Sequence, residues 1–268
     1  MTVQAASNST PTVTALLLNS GSAVTLIENT STTISLVGTA TDQDGNTDIS
    51  FATATIYRSG VGASCSADQN SCYQIASSSC AKSNCSGNSC DFTCSAKLQF
   101  FADPTDAGIF SGENWLGQMT VTDLSAATLA STTASGVELN TLYALDVAGS
   151  ISYGSVNPDS DTGSSNQTTT VTNTGNAAID VNLSGASMAN SSYTITADNQ
   201  KYATSTFTYS SCTVCTALSG TLTRLEVDLA KPTSVTPVTD DIFWGLLVPL
   251  GKPPGSYSGT NTFEALAD

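Results

Sequence analysis

Four oxygen-bearing side chains alternate around Gly45, and these are Asp42, Asp44, Asn46 and Asp48. Alternate side chains of a tight turn converge on one side, and glycine permits the bend, so this spacing predicts a Ca²⁺ loop. An EF-hand would place a bidentate Glu at the twelfth position, where this chain has Thr53, so the loop is not an EF-hand. A polar turn between two strands, holding no ion, is the alternative interpretation.

The residues needed for most enzyme chemistry are missing from the sequence. The chain has no histidine, which removes Ser-His-Asp and Cys-His catalysis and His-ligated zinc. It also lacks the nucleophile elbow, the P-loop and the dinucleotide fingerprint. Catalysis by paired carboxylates stays open, as in glycosidases, but no spacing singles out a pair. We therefore expect a protein that is not an enzyme and uses no cofactor other than calcium.

Eight cysteines fall into two groups. Six lie within one polar segment, and these are Cys65, Cys72, Cys80, Cys85, Cys90 and Cys94; the other two, Cys212 and Cys215, form a C-x-x-C. Their even number among Ser, Asn and Gly predicts disulfides and an oxidising compartment. The alternative is a metal site, although a zinc ribbon needs two C-x-x-C knuckles. The spacing leaves the pairing within the group of six open.

Sequons agree with an extracellular or cell-surface location. The pattern N-x-[ST] occurs at Asn8, Asn29, Asn84, Asn166, Asn182 and Asn190, which makes these the candidate glycosylation sites. Each match is weak by itself, because a chain with 39 Ser and 41 Thr produces several by chance.

Charge and hydropathy exclude two classes of partner. With 22 acidic residues against 7 basic ones the formal net charge is −15, so no basic patch is available for nucleic acid or an anionic membrane. No apolar run approaches the roughly 18 residues of a membrane span. We expect neither nucleic-acid binding nor membrane insertion.

The composition predicts an all-β fold with two antiparallel β-sandwich domains in tandem. Thr, Val and aromatic residues favour strands, whereas the helix formers Lys, Glu, Arg and Met are scarce. Short alternating segments separated by turns favour sandwiches. We predict a flexible N-terminal arm over residues 1–10, a first domain over 11–138 with a disulfide-rich insert at 60–95, and a second domain over 139–268.

Both halves resemble known surface modules. Pro11-Thr-Val-Thr, the turn from Gly38 to Asn46 and the strand from Met119 to Ser125 resemble bacterial and archaeal Ig-like surface domains. The turn Asn173-Thr-Gly-Asn176 and the segment Gly255–Phe263 are similar to strands of secreted β-sandwich surface domains. The resemblance implies Ig-like architecture and a structural or adhesive role at the cell surface.

The expected function is that of a structural subunit of an extracellular homopolymeric filament, pilus-like appendage or sheath. Low charge density favours close stacking of identical copies. Thr12–Leu18 is the candidate for strand donation in a head-to-tail assembly; the alternative is that it forms the first strand of its own domain. A surface adhesin or glycan-binding module is the main alternative function, and a virion coat protein or a secreted carboxylate-based hydrolase is less favoured. Trp115 and Trp244 are expected in the cores, with an aromatic platform for stacking glycans as the alternative.

Overall fold

The computed structural model describes residues 7–268 as an all-β protein that divides into two compact units, Met1–Leu142 and Tyr143–Asp268. Its sheets are antiparallel, and the helical elements in this range are single 3-10 turns. No helix in the described range is long and apolar enough to cross a membrane. The predicted all-β class is therefore confirmed.

Unit 1 contains two four-stranded sheets within the described range. One has the order β1-β2-β6-β5 and the other β4-β3-β7-β8. The strands are β1 (Thr12–Leu18), β2 (Ser31–Thr41), β3 (Ile49–Arg58), β4 (Cys72–Ile75), β5 (Cys80–Ser86), β6 (Ser89–Gln99), β7 (Trp115–Asp123) and β8 (Thr128–Thr132).

The inner strands of unit 1 alternate buried and accessible side chains. In β7 every second residue from Trp115 to Asp123 is buried, which is the period expected of a strand with one face on a core. Apolar side chains of both sheets join one cluster, including Leu36, Ile56 and Leu98. The two sheets therefore pack face to face as a sandwich.

The cysteine-rich segment is not an insert in the sandwich, and that prediction is wrong. Residues 89–95 belong to β6, which lies between β2 and β5 in its sheet. Cys90, Phe92 and Cys94 are at most 1% exposed and belong to the core of unit 1. The polar composition misled the prediction, because only alternate residues of β6 face the core and two of these are cysteines.

Unit 2 is built on a larger sheet, a three-stranded sheet and a hairpin. The orders are β16-β15-β18-β11-β9 with β10 also on β18, β17-β12-β19, and β13-β14. The strands are β9 (Leu145–Val147), β10 (Ser160–Asp161), β11 (Gln167–Asn173), β12 (Ile179–Gly185), β13 (Met188–Asn190), β14 (Tyr193–Ile195), β15 (Gln200–Ala203), β16 (Thr216–Ala217), β17 (Thr223–Leu229), β18 (Val238–Val248) and β19 (Asn261–Ala267).

Each unit contains one of the chain's two tryptophans, and both are fully buried. Trp115 lies in the core of unit 1 and donates from Nε1 to the carbonyl of Asp103 at 3.0 Å. Trp244 lies in the core of unit 2 with Tyr202 and Phe263 at ring-centroid distances of 5.4 and 6.0 Å. Neither ring is available to stack on a glycan, so the platform interpretation is wrong. The fluorescence of each tryptophan therefore reports the unfolding of the unit that contains it.

All eight cysteines are paired, and no free cysteine remains. The pairs are Cys65–Cys72, Cys80–Cys94, Cys85–Cys90 and Cys212–Cys215. Cys80 and Cys94 are directly opposite in the β5–β6 pair, so strand register selects this partner among those the spacing left open. Four disulfides indicate an oxidising compartment.

Removal of the cross-strand disulfide is expected to destabilise unit 1 by about 3 kcal/mol, because the bond closes a loop of 14 residues in the unfolded chain. Cys80→Ala/Cys94→Ala is the test variant. Cys212→Ala/Cys215→Ala, which opens a bridge spanning three residues, should cost unit 2 only about 1.5 kcal/mol. Urea unfolding followed by tryptophan fluorescence measures both, and equal losses would contradict the loop-length argument.

The boundary between the units lies four residues later than the predicted 138/139. Leu139 is fully buried in the core of unit 1, and Val24 donates its N–H to the carbonyl of Glu138 at 2.8 Å. At the other end, residues 1–6 of the predicted arm lie outside the described residues. Within the described part of that arm, the Ser9 N–H donates to Asp44 Oδ2 at 2.6 Å, so this part is tied to unit 1.

Candidate metal centre

The loop between β2 and β3 carries the predicted calcium ligands and brings two of them together. Asp42 follows the last residue of β2 and is 1% exposed; Asp48 precedes the first residue of β3. Gly45 between them has φ +109°, a conformation that favours glycine. This tight turn returns the chain so that the two carboxylates face the same volume.

A third carboxylate, Asp123 at the end of β7, completes the cluster. β3 pairs with β7 so that Ile49 lies opposite Asp123, and Leu124 donates its N–H to the carbonyl of Asp48 at 2.9 Å. One carboxylate oxygen from each of Asp42, Asp48 and Asp123 lies within 4.8 Å of the others. Asp123 is 2% exposed. Sequence spacing missed it because it comes from a distant strand.

The other two predicted ligands have different partners and do not join the cluster. Asp44 Oδ2 accepts the N–H of Ser9. Asn46 Nδ2 donates to the carbonyl of Gly87 at 2.6 Å, and the Asn46 N–H donates to the same carbonyl at 3.0 Å. The alternating motif therefore contributes its first and last members, Asp42 and Asp48, to a three-carboxylate cluster.

Two carboxylate oxygens of this cluster lack a hydrogen bond. Oδ2 of Asp42 and Oδ2 of Asp48 are buried and have no partner among the described residues, although Asp42 Oδ1 accepts the N–H of Asp44 at 2.9 Å. Lys82 is the neighbouring cation. Its Nζ donates to the carbonyls of Asn46, at 3.2 Å, and Ile49. The ammonium group is thus bonded to backbone oxygens that flank the cluster.

Electrostatics distinguishes the three acids. Burial, followed by repulsion from Asp123, Asp42 and Asp44, raises the pKa of Asp48, against a lowering contribution from the N–H of Leu124. The pKa of Asp123 is lowered, chiefly by the hydrogen bond that Asn8 Nδ2 donates to its Oδ2 at 2.8 Å. Negative charge is therefore concentrated around Oδ2 of Asp42 and Oδ2 of Asp48, which accept no hydrogen bond.

In a second acidic group, in unit 2, the buried carboxylate is already paired with protein groups. Its members are Asp180, Glu226, Asp228 and Asp268. Asp180 forms an ion pair with Arg224, which also pairs with Glu226 at 2.8 Å. Oδ1 of Asp180 accepts two backbone N–H groups. This group needs no ion to satisfy its buried carboxylate.

The sequon asparagines occupy different environments. Asn29 and Asn84 are exposed and have positive φ, while Asn182 lies within the central strand β12. The Nδ2 of Asn166 is buried, and its Oδ1 accepts the N–H of Phe207 at 2.8 Å. A glycan is attached through Nδ2, so a glycan on Asn166 would require this buried amide to leave the position it has in the folded chain.

The two remaining sequons also differ. Asn8 is exposed but its Nδ2 is engaged with Asp123. Asn190, in β13, is half-buried against Gly255. Asn84 is exposed, but its Nδ2 donates to Asp91 Oδ2 at 3.0 Å. This leaves Asn29, which is also exposed, as the most accessible of the six.

Unit 2 has a large groove along β19. Its volume is about 830 Å³, and its walls come from residues 147–158, the segment 252–263 and the neighbouring strands. Tyr153 Oη and Asn261 Nδ2 both donate to Gln200 Oε1, at 3.1 and 3.4 Å. The groove thus has mixed polar and apolar walls and contains a small hydrogen-bond network.

No family model and no curated protein matches this chain. The crystal structure of dimeric latent PorU from Porphyromonas gingivalis is 11% identical with a TM-score of 0.28, covering 97% of this chain and 20% of the PorU chain. The structure Titin-A168169 is 7% identical with a TM-score of 0.29, covering 97% of this chain and all of the titin chain. The chain thus spans about a fifth of the PorU chain. Both likenesses are too remote to support an argument about fold or function.

Proposed function

We propose that this chain is a structural subunit of an extracellular assembly built from copies of itself, such as a filament, a pilus-like appendage or a surface sheath, and that its two units are Ig-like sandwiches. Four disulfides and the hydroxyl-rich composition support an extracellular location. Charged residues make up only 11% of the chain, so most of the surface that stacked copies would bring together is uncharged. The net charge of −15 makes such stacking dependent on salt, which screens the repulsion between copies.

One observation carries this proposal: each unit ends a sheet in a strand with a free edge. β1 ends one sheet of unit 1, and β19 ends the three-stranded sheet of unit 2. Among residues 7–268 no strand pairs with their outer edges. A free edge presents unpaired N–H and C=O groups that another strand can pair with.

The free backbone groups of β19 can be assigned from its register. β19 pairs with β12 without a bulge, and the Ala186 N–H donates to the carbonyl of Thr260 at 2.9 Å. Backbone direction alternates along a strand, so Thr260, Thr262 and Glu264 face β12. The N–H groups of Phe263 and Ala265 face outward, along the groove.

The proposed occupant of this edge is β1 of a second copy. Thr12–Leu18 pairs with β2 of its own chain, with a bulge between Thr14 and Leu17. No strand of residues 7–268 pairs with its outer edge there, although β1 also contacts β7 and β8 of the other sheet. If β1 left its own sheet in a strand exchange, the same segment would pair with the neighbouring copy. A contact between an edge of unit 1 in one copy and an edge of unit 2 in the next is head-to-tail. Such a contact lets each added copy bind another, so the assembly grows instead of closing as a dimer.

Blocking this edge should stop assembly without unfolding the chain. Ala265→Pro removes an outward N–H from an edge strand, a position where proline is tolerated. Val235→Pro, at an exposed loop residue, is the matched control. We expect negative-stain microscopy of wild type and control to show long uniform fibres, and the A265P variant to remain monomeric with an unchanged circular dichroism spectrum. Dispersed wild-type monomers at high concentration would overturn the proposal.

The groove favours a second candidate function, a surface adhesin that binds glycans. Half-buried Tyr153 and Tyr257 line it together with the amides of Gln200 and Asn261, and aromatic faces with amide groups suit sugar rings. Glycan-array binding by a monomeric protein, lost on Tyr257→Ala, would favour this function over self-assembly.

A further inference from the structure

We propose that Asp42, Asp48 and Asp123 bind one Ca²⁺ ion in unit 1. This inference does not depend on self-assembly, and it differs from the sequence motif because it replaces Asp44 and Asn46 with Asp123. It is argued from the distances and burial of the three carboxylates and from the unpaired oxygens of Asp42 and Asp48; both oxygens of Asp123 already accept hydrogen bonds, from Asn8 and from the N–H of Ala127.

The distances fit a single ion. Calcium ligands lie 2.3–2.6 Å from the ion, so two oxygens on opposite sides of it are about 5 Å apart at most. The oxygens of Asp42, Asp48 and Asp123 all lie within 4.8 Å of one another. One ion can therefore contact all three carboxylates with small side-chain adjustments.

The unpaired oxygens point to a ligand. A buried carboxylate oxygen that lacks a donor is costly unless a cation or a hydrogen bond replaces its lost water. Asp42 is 1% exposed and its Oδ2 has no partner among the described residues. Asp48 is half-buried, and its Oδ2 is likewise a buried atom without a partner among the described residues. Lys82 supplies no hydrogen bond to these two oxygens, since its Nζ donates to the carbonyls of Asn46 and Ile49.

The donor set selects Ca²⁺ among common metals. The three side chains offer only carboxylate oxygens, the ligands preferred by hard cations. Mg²⁺ demands near-ideal octahedral geometry and dehydrates reluctantly, whereas Ca²⁺ accepts six to eight oxygens in flexible arrangements. An extracellular module meets Ca²⁺ at millimolar concentration, and such sites have dissociation constants of about 0.1–1 mM.

The ion would also fasten the N-terminal segment to the sandwich. Asn8 reaches Asp123 through its amide, and rotating that amide would present Oδ1 to the ion as a further oxygen ligand. The site would then join the β2–β3 loop, the end of β7 and the segment before β1. This position makes unit 1, and not unit 2, the part that calcium stabilises.

The test is calcium-dependent stability of the whole chain. In a Trp244→Phe background, Trp115 fluorescence follows unit 1 alone. About 10 mM Ca²⁺ should raise the melting temperature of unit 1 by about 3–8 °C relative to EDTA at equal ionic strength. Isothermal titration calorimetry should give one site per chain. No shift in Ca²⁺, or a larger shift in Mg²⁺ than in Ca²⁺, would overturn the assignment.

Variants separate the cluster from the sequence motif. Asp123→Asn and Asp48→Asn should each weaken Ca²⁺ binding at least tenfold, whereas Asp44→Asn should change it less than about threefold because its carboxylate is not a ligand. Asp48→Asn should also raise the melting temperature in EDTA, because it removes repulsion. Glu28→Gln, at an exposed residue of unit 1, is the matched control. Equal losses from D44N and D123N would contradict the three-carboxylate site.

Discussion

Replacing Arg58 by methionine is expected to lower the free energy of unfolding of unit 1 by about 3–5 kcal/mol. Arg58 ends β3 and is 9% exposed. Its Nε lies 3.2 Å from Asp103 Oδ2, its Nη1 lies 2.5 Å from Glu113 Oε1, and its guanidinium covers the ring of Phe110 at 3.6 Å. Methionine keeps the apolar stem but leaves both carboxylates without their cation, and Asp103 is 8% exposed.

Urea unfolding followed by Trp115 fluorescence in a W244F background measures this loss. Lys97→Met, at an exposed residue of β6, is the control for the same change of side chain and should cost under about 0.5 kcal/mol. The triple variant R58M/D103N/E113Q should recover much of the stability, because its carboxylates are neutral. An R58M protein within about 1 kcal/mol of wild type would contradict a structural role for this ion network.

Replacing Asp180 by alanine is expected to cost unit 2 about 3 kcal/mol. The β12–β17 pair has a bulge between Ile179 and Val181, and the fully buried Asp180 side chain supplies the acceptor there. Its Oδ1 accepts the N–H groups of Val227 and Asp228 at 2.9 and 3.0 Å. Alanine would leave two backbone donors without a partner, while Asp180→Asn retains an acceptor and should cost about 1–2 kcal/mol.

Acid should remove the contribution of the Asp180 charge. Burial alone would raise the pKa of this carboxyl, but hydrogen bonds from Asp228 and Val227, then contacts with Glu226 and Arg224, outweigh it and the pKa is lowered. A lowered folded pKa gives stability that is fully present above the unfolded value of about 3.9 and is lost as pH falls through the folded pKa.

The contribution of the Asp180 charge is measured as the difference in free energy of unfolding between the chain with Asp180 and D180N, both in a W115F background. Trp244 fluorescence then follows the unfolding of unit 2. The difference should be constant above about pH 5 and shrink below about pH 4. Asp146→Asn, at an exposed residue of β9, should show no such decline. A wild-type advantage that persists unchanged to about pH 2.5 would contradict the linkage.

Local properties of the sequence predicted the fold class and the redox state. The scarcity of helix formers and the period-two alternation in segments such as β2 and β7 require only neighbouring residues, so they indicate strands without knowledge of the partners. The even number of cysteines in polar surroundings indicated disulfides for a similar reason. Thr12–Leu18 was identified as a strand, although its partner was left open.

Tertiary structure decided which strands are neighbours, and the candidate metal centre depends on that. Alternation shows which residues of a strand share a face, but pairing between strands distant in sequence is set by packing of the whole core. The β3–β7 register places Asp123 beside Asp48, while contacts with Ser9 and Gly87 direct Asp44 and Asn46 elsewhere. The sequence by itself determined the all-β class, strands with clear alternation such as β2 and β7, the disulfide chemistry and two of the three carboxylates. The third carboxylate required the long-range pairing of two sheet strands, which no local pattern encodes.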